Sequence, residues 1–540
     1  MTDIEIPLGK RTFRYRFFEI LPALLSYTVV LLPIVLSIVS PILAAIFIIG
    51  YIIMFFVKAI GMAYRTVQGY NSLGQAQKID WRKRLQDLND VDVALKEYRE
   101  NPHKTEWRLE EHYQNLLRFA AHREQYFTPD ETYNAVIIAM YNESRDIVEP
   151  TIKAVLASHY DMKRLILVIA YEERGGEDAK KIADDLVKEY GHACFKAVAI
   201  MHPKDMKNEV IGKGGNIAYA GRRLKKIIEE EAIDPERVIV TTLDADNRPH
   251  PSYFSYVTYE YILDPERDKR AYQPIALFLN NIWDVPAPMR VLATGNSFWT
   301  IINSMRPHML RNFASHSQGM ASLIKTDFWS VRSIVEDGHQ YWRSYFAFDG
   351  DYEVTPIYVP IYQDAVLAET YRKTIKAQFV QLRRWAYGAS DVAYVADKGL
   401  SKESKIPFLK FFPRFFRLLE SHVSWATAPI IIAFGAWAPL LINPEASRSI
   451  VAHELPQIAS QLQFVAMFGL FITVYLTFKM LPPRPERYKR HRNVWMLLQW
   501  LLMPIVSIGY GSTAAFNSQT RLLLGKYLDK FDVTVKAVKK

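Results

Sequence analysis

No charged residue occurs between Glu19 and Lys58. The 38 intervening positions, Ile20 to Val57, are rich in Ile, Leu, Val and Phe. One helix needs about 20 apolar residues to cross a bilayer, so this stretch has room for two crossings. Ser40-Pro41 lies at its middle and is expected to form a tight hairpin. A cleaved signal peptide is not expected, because the stretch is too long and no small-residue cleavage site follows it.

Apolar runs return near the other end. Ser421 to Pro444 and Leu455 to Phe478 are uncharged, each one span long. The loop between them carries Glu445, Arg448 and Glu454, whereas the loop after them carries Arg484, Arg487, Lys489, Arg490 and Arg492. The N-terminal arm holds Lys10, Arg11, Arg14 and Arg16. Basic loops stay on the cytoplasmic side. The pattern therefore predicts a multi-pass plasma (inner) membrane protein with its N-terminus, soluble part and 484–492 loop inside.

Asn493 to Thr520 is also uncharged but contains Pro504, Gly509 and Gly511. It reads as a further span or as a re-entrant hairpin covered by protein. The lysine-rich tail beyond it is expected to be cytoplasmic. In "IPFLKFFPRFFRLLESH" five phenylalanines recur at helical spacing with Lys410, Arg414 and Arg417 between them. That pattern predicts an amphipathic helix lying in the membrane interface.

The net charge of +10 suggests nucleic acid only until the charges are located. Basic patches interleaved with aromatics occur only beside the apolar runs, so no nucleic-acid partner is expected. The single cysteine, Cys194, excludes an internal disulfide.

The expected organisation is an arm and two spans over 1–65, a charged helical region over 66–130 and an α/β domain over 131–400. An interfacial helix over 401–420, further spans over 421–520 and a tail over 521–540 complete it. In the α/β domain, "AVIIAMYNESRD", "RLILVIAYEERGGED", "FKAVAIMH" and "RVIVTTLDADN" read as strands running into polar turns, with helical segments between them. Strands alternating with helices predict a mainly parallel, doubly wound sheet. Ligands of such sheets bind beyond the carboxyl ends of the strands.

Asp244-Ala245-Asp246 falls at such an end. Two carboxylates there suit a hard divalent cation, which takes oxygen ligands and holds substrate phosphates. They suit a solvated turn equally well. Lys213-Gly214-Gly215-Asn216 opens a helix and could cradle phosphate with backbone N–H groups. Gln381, Arg384 and Trp385 lie at i, i+3 and i+4, on one helix face. An arginine suits diphosphate oxygens, the indole a sugar ring and the amide its hydroxyls.

The order of these parts is specific. Tyr141-Asn142-Glu143 comes first, then Lys213-Gly214-Gly215-Asn216, Asp244-Ala245-Asp246, Glu336-Asp337 and Gln381-x-x-Arg384-Trp385, with apolar runs on both sides. From about residue 130 onward the chain resembles the membrane-embedded synthases of glycosyltransferase family 2, which make cellulose, chitin, hyaluronan and poly-N-acetylglucosamine. Phe531 to Lys536, "FDVTVK", is similar to the gating loop of the cellulose synthases.

That resemblance implies an α/β GT-A domain, Rossmann-like and mainly parallel, inserted between transmembrane helices. It implies an inverting transfer from a nucleotide-diphospho-sugar, a UDP-sugar in the first instance, to a growing β-linked polysaccharide. The alternative is a single addition to a lipid-linked or other acceptor. Asp337 would be the general base with Glu336 beside it, and Asp246 would hold Mg²⁺ or Mn²⁺. Tyr141, Asn142, Glu143, Lys213, Asp244, Gln381 and Arg384 would contact the nucleotide sugar, and Thr534 and Lys536 would close over it. Trp385 would floor the acceptor site.

The chain departs from the family in two places. Tyr171-Glu172-Glu173-Arg174-Gly175-Gly176 replaces an acidic pair with a Gly-Ser turn, and Glu172 becomes the expected nucleobase contact. Ser317-Gln318-Gly319 replaces the acceptor-side Gly-Thr-Gly or Cys-Gly-Ser, with Gln318 the expected acceptor contact, and this leaves the sugar open. Membrane lipid and a partner that exports the product complete the expected partners. A transporter with a regulatory domain would place charges inside its spans, and the first two have none.

Overall fold

The computed structural model describes residues 4–7, 9–100, 105–443 and 450–528. One eight-stranded sheet organises the soluble part. Its strands are β1 (Tyr133–Met140), β2 (Leu165–Glu172), β3 (Lys196–His202), β4 (Val238–Asp244), β5 (Arg248–Pro249), β6 (Arg270–Leu277), β7 (Ser317–Gly319) and β8 (Glu353–Tyr362). They lie in the order β3-β2-β1-β4-β7-β6-β8-β5. The pairs β3–β2, β2–β1, β1–β4 and β6–β8 are parallel, while β7 runs antiparallel to both β4 and β6.

β1 shows why its sequence does not alternate. Val136, Ile138 and Met140 pack into one apolar cluster, and Ala135, Ile137 and Ala139 into another on the opposite face. Helices cover both faces, so every side chain after Tyr133 is buried, and the polar one among them, Asn134, donates to Thr258 Oγ1 at 2.7 Å. The fold is thus a mainly parallel α/β domain lying between apolar helices.

Among the described residues, five helical segments are long and apolar enough to cross a membrane: Phe13–Val39, Pro41–Ala76, Phe408–Ile442, Ala452–Met480 and Arg492–Leu523. Large apolar side chains such as Leu31, Ile46, Phe468 and Phe471 stay exposed on them. The first two helices meet at Ser40, which separates them with an extended backbone while Pro41 opens the second. The 493–520 region runs on as helix, with a π-helical turn at Ser507–Ser512.

Two boundaries differ from the sequence expectation. The second helix does not stop at residue 65 but continues to Ala76. Gly69 lets it rest on the α/β domain, because a Cβ there would lie 2.9 Å from the Ile301 carbonyl oxygen. The expected interfacial helix and the span after it are one helix, Phe408–Phe434. Phe411 and Phe415 bury against the domain, while Phe408, Phe412 and Phe416 stay exposed. The stripe read as facing a membrane is thus split between protein and surroundings.

Candidate active site

The carboxyl ends of the parallel strands open into one cavity of about 890 Å³. Tyr141 and Glu143 follow β1, Glu172 ends β2, Asp244 ends β4 with Asp246 just beyond, and Gln363 and Asp364 follow β8. Each of these side chains lines the cavity.

Lys213 is the hub of the charged end. Its Nζ lies 2.9 Å from Asp244 Oδ1, 3.2 Å from Asp337 Oδ2 and 3.8 Å from Glu336 Oε1. Burial works against its charge, but the three carboxylates outweigh burial and raise its pKa. Glu336 is itself buried. Burial first, and the Asp337 carboxylate second, push its pKa up against the pull of Lys213 and Arg384.

The glycines after Lys213 explain how these groups meet. A Cβ on Gly214 would drive into the Ser330 carbonyl oxygen and come within 3.1 Å of Glu336 Cβ. A Cβ on Gly215 would come within 3.2 Å of the His202 ring. Bare backbone at Gly214 lets the helix Lys213–Glu230 approach the segment that carries Glu336 and Asp337, and at Gly215 the end of β3. Asn216, next in line, donates to the Ala170 and Met140 carbonyls at 2.9 and 3.3 Å. It ties the ends of β1 and β2 together. The Lys-Gly-Gly-Asn sequence thus serves close packing and delivery of the lysine, rather than leaving a loop open for phosphate.

Asp244-Ala245-Asp246 is a turn and a cavity wall at once. Asp246 is nearly covered, and its Oδ2 accepts the Asp364 N–H at 3.3 Å. With the Asn247 amide oriented to suit both neighbours, its nitrogen donates to Asp246 Oδ1 at 3.1 Å and its oxygen accepts the Asp244 N–H at 3.2 Å. The turn holds the two carboxylates in fixed relation.

The donor set bears on a metal ion. Among the described residues, no group of three or more His, Cys, Asp or Glu side chains could hold one. Magnesium-type sites commonly use one or two carboxylates and take their remaining ligands from water and substrate phosphates. Asp246 fits that pattern. Asp244, Asp246 and Asp337 also make this wall acidic, which suits a cation.

Behind Asp337 lies His316, which the sequence did not single out. Trp329 Nε1–H donates to its Nε2 at 3.2 Å, so Nε2 is the acceptor and Nδ1 carries the hydrogen. Nδ1 donates to the Phe313 carbonyl at 2.9 Å and lies 3.9 Å from Asp337 Oδ1. Burial lowers the pKa of this ring.

The other end of the cavity is aromatic. Gln381, Arg384 and Trp385 enter together from the helix Tyr371–Ala386, and the Trp385 and Phe278 ring centroids are 6.1 Å apart. Trp299 and Phe313 form an edge-to-face pair at 4.6 Å. Ser421, His422 and Trp425 of the helix Phe408–Phe434, and Gly511 of the last apolar helix, complete this wall. A histidine and a tryptophan inside an apolar run were the available sequence signal for it.

Not every expected residue is here. Asn142 is exposed and is not among the lining residues. Gln318 is a correction: it sits on β7 inside the sheet, fully buried, and donates to Ser322 Oγ at 3.1 Å and Ser344 Oγ at 3.2 Å. Its amide is spent on core hydroxyls and does not face the cavity. Glu172 lines the cavity but is ion-paired with Arg174. Thr534 and Lys536 lie outside the described residues.

No protein-family model matches the chain, and no curated protein matches it. Solved structures similar to it include a mannosyltransferase, PcManGT from Pyrobaculum calidifontis, in complex with GDP-Man and Mn²⁺. It is 15% identical, with 82% of this chain and 100% of that chain covered and a TM-score of 0.40. Residues 1–349 of S. aureus TarS are 9% identical, with 73% and 93% covered and a TM-score of 0.33. The same TarS segment in complex with UDP is 10% identical, with a TM-score of 0.33.

Proposed function

We propose that the protein is a membrane-bound, inverting glycosyltransferase with a GT-A domain, extending a β-linked polysaccharide from a nucleotide-diphospho-sugar. One observation carries the reading. Residues from Tyr141 to Trp385 line a single cavity at the carboxyl edge of the sheet, and that cavity runs on to the walls of apolar helices.

Asp337 is the base in this proposal. It takes the proton of an acceptor hydroxyl, whose oxygen attacks the anomeric carbon as the bond to the diphosphate breaks. The nucleoside diphosphate leaves toward Arg384 and Lys213. Asp246 would hold Mg²⁺ or Mn²⁺, whose charge would offset that on the leaving group. Glu336 is the neutral neighbour in this proposal, because burial pushes its pKa up. Trp385, Trp299 and Trp425 offer ring faces to sugar units along the route toward the apolar helices.

Thr534 and Lys536 keep the role that the resemblance implies, closing over the nucleotide. Supporting this, the chain reaches Leu528 beside the cavity mouth: its N–H donates to the Tyr387 hydroxyl at 3.2 Å, and it packs near Ile334 and Val335. A second reading, one sugar added to a lipid-linked acceptor, draws on the same helix-lined wall.

The test is purification in detergent and incubation with Mg²⁺ or Mn²⁺ and a panel of UDP- and GDP-sugars. Nucleotide release and product length are measured beside Asp246→Asn and Asp337→Asn. A long product supports the synthase and a single addition the alternative. Equal release by both variants and the parent would remove the catalytic assignment.

A further inference from the structure

Among the described residues, the lysines and arginines that line the cavity are Arg174, Lys213, Arg311 and Arg384. Arg174 is paired with Glu172, and Lys213 with Asp244 and Asp337. Lys213 and Arg384 also have a place in the proposed transfer, beside the leaving diphosphate. Arg311 has neither a partner nor a role. Among the described residues its guanidinium makes no hydrogen bond and no ion pair.

Its position is on the acceptor side of Asp337. The guanidinium carbon lies 5.8 Å from the centre of the Trp342 ring, on the helix Glu336–Ala347 whose first residues are Glu336 and Asp337. The next residue, Asn312, places its carbonyl oxygen 4.0 Å from where a Cβ on Gly338 would stand. Phe313 follows, edge-to-face with Trp299 at the aromatic end. The segment that carries Arg311 thus runs from beside the proposed base to the ring faces.

The wall around it leaves the charge unmatched. Asp391 is the acid that lines this stretch, and it is held by His339 Nδ1 at 2.7 Å and forms no ion pair with Arg311. Burial lowers the pKa of Arg311 against the pull of Asp391. His422 borders the same stretch: a Cβ on Gly388, just before Asp391 in the chain, would lie 3.4 Å from its Cε1. His422 is only 9% exposed, lines the cavity, and its ring makes no hydrogen bond among the described residues. A guanidinium drawn partly out of water loses solvation that an anion restores. A neutral sugar hydroxyl restores less of it.

We propose that Arg311 pairs with an oxyanion on the acceptor and so selects an acidic acceptor over a neutral one. The planar fork of an arginine matches carboxylate and phosphate alike. A uronic acid unit of a growing chain carries the first, and a lipid-linked acceptor carries the second. The inference rests on the transferase reading, and it makes Arg311 a binding residue that takes no part in bond making. Its test therefore needs no nucleotide sugar.

The full chain in neutral detergent is titrated by calorimetry with a β-linked glucuronic acid tetramer and its methyl ester, and with farnesyl phosphate and farnesol. One of the two acids is expected to bind about tenfold more tightly than its neutral counterpart, with the advantage shrinking as salt is raised. The larger preference identifies the source: the tetramer an acidic sugar, farnesyl phosphate a lipid phosphate. Arg311→Gln is expected to bring acid and neutral probe to equal affinity while the neutral probe binds as before. Arg311→Lys, which keeps the charge without the fork, is expected to retain a smaller preference and serves should the first variant fail to fold. Equal affinity of acid and neutral probes, no binding by any probe, or an undiminished preference in a folded variant would overturn the proposal. The transferase reading has its own measurement, the loss of nucleotide release in Asp246→Asn and Asp337→Asn, so the two can fail separately.

Discussion

The two ends of the cavity are built on different principles. At the strand end, Lys213 gathers Asp244, Glu336 and Asp337. At the helix end, Trp299, Phe313, Trp385 and Trp425 offer ring faces. Charges in a confined space fix position to within tenths of an ångström and fail abruptly when one partner is lost. Ring faces tolerate sliding and lose their effect in small steps. Under the proposed function, the first would serve where bonds change and the second where the acceptor chain travels.

Breaking the charged end should give the largest effect. Lys213→Met leaves three carboxylates around a methyl group. Removing one partner from a buried ion cluster costs about 3–5 kcal/mol. Nucleotide release is expected to fall by about a hundredfold or more, with a melting temperature clearly below that of the parent. Lys213→Arg should recover part of the stability. An unchanged melting temperature in Lys213→Met would show that the cluster is not what organises this end.

Gly214→Ala tests the same end through packing alone. The added methyl meets the Ser330 carbonyl and the Glu336 side chain, so the helix start and the Glu336 segment must part. Overpacking of this kind costs about 1–3 kcal/mol. Nucleotide release should fall although no charge has changed. Gly74, whose Cβ would meet nothing within 4 Å, is the control, and Gly74→Ala should be silent.

Trp425→Ala addresses the aromatic end. The indole packs over Gly511, where a Cβ would lie 3.5 Å from its Nε1. Losing one stacking face weakens acceptor binding by about tenfold. Product should shorten while nucleotide release at saturating acceptor stays near the parent rate. A loss of release as large as that of Lys213→Met would erase the distinction between the two ends.

The two halves of the sheet were not equally legible. β1, β2 and β4 stood out because both faces are covered and the strands become largely apolar runs ending in polar turns. Asp244 and Asp246 could be named for that reason, and Lys213 because Lys-Gly-Gly-Asn opens a helix. β7 could not be read: Ser317-Gln318-Gly319 is three residues long, polar and fully buried. Its burial depends on hydroxyls supplied by Ser322 and Ser344, and its sequence resembles a loop. The family resemblance placed Gln318 at the acceptor, but it belongs to the core. His316 was missed because nothing in the sequence links it to Trp329 and Phe313. Trp425 and His422 were hidden in a run whose hydropathy says only that it is apolar. The Gln381, Arg384 and Trp385 face was legible because helical spacing alone brings it together.

The finest test of the charged end is its pH response. Burial pushes Glu336 above its ordinary value of 4.5, with Asp337 adding to the shift. The fold therefore favours the protonated carboxyl. The stability this gives is complete below the ordinary carboxylate range and is lost as pH rises through the folded value. Lys213, raised from 10.5, is fully charged across that window and adds no slope of its own. Glu260, pushed up to about 7 by burial in the helical cover, has the same sign and must be separated. In Glu336→Gln, the decline of melting temperature with rising pH should flatten but not vanish, and Glu260→Gln should remove the part that remains near pH 7. Nucleotide release by Glu336→Gln at pH 7 should stay within a few-fold of the parent, because the amide resembles the carboxyl that burial keeps protonated. A large loss of release would mean that Glu336 works ionised, and that the base is shared between it and Asp337.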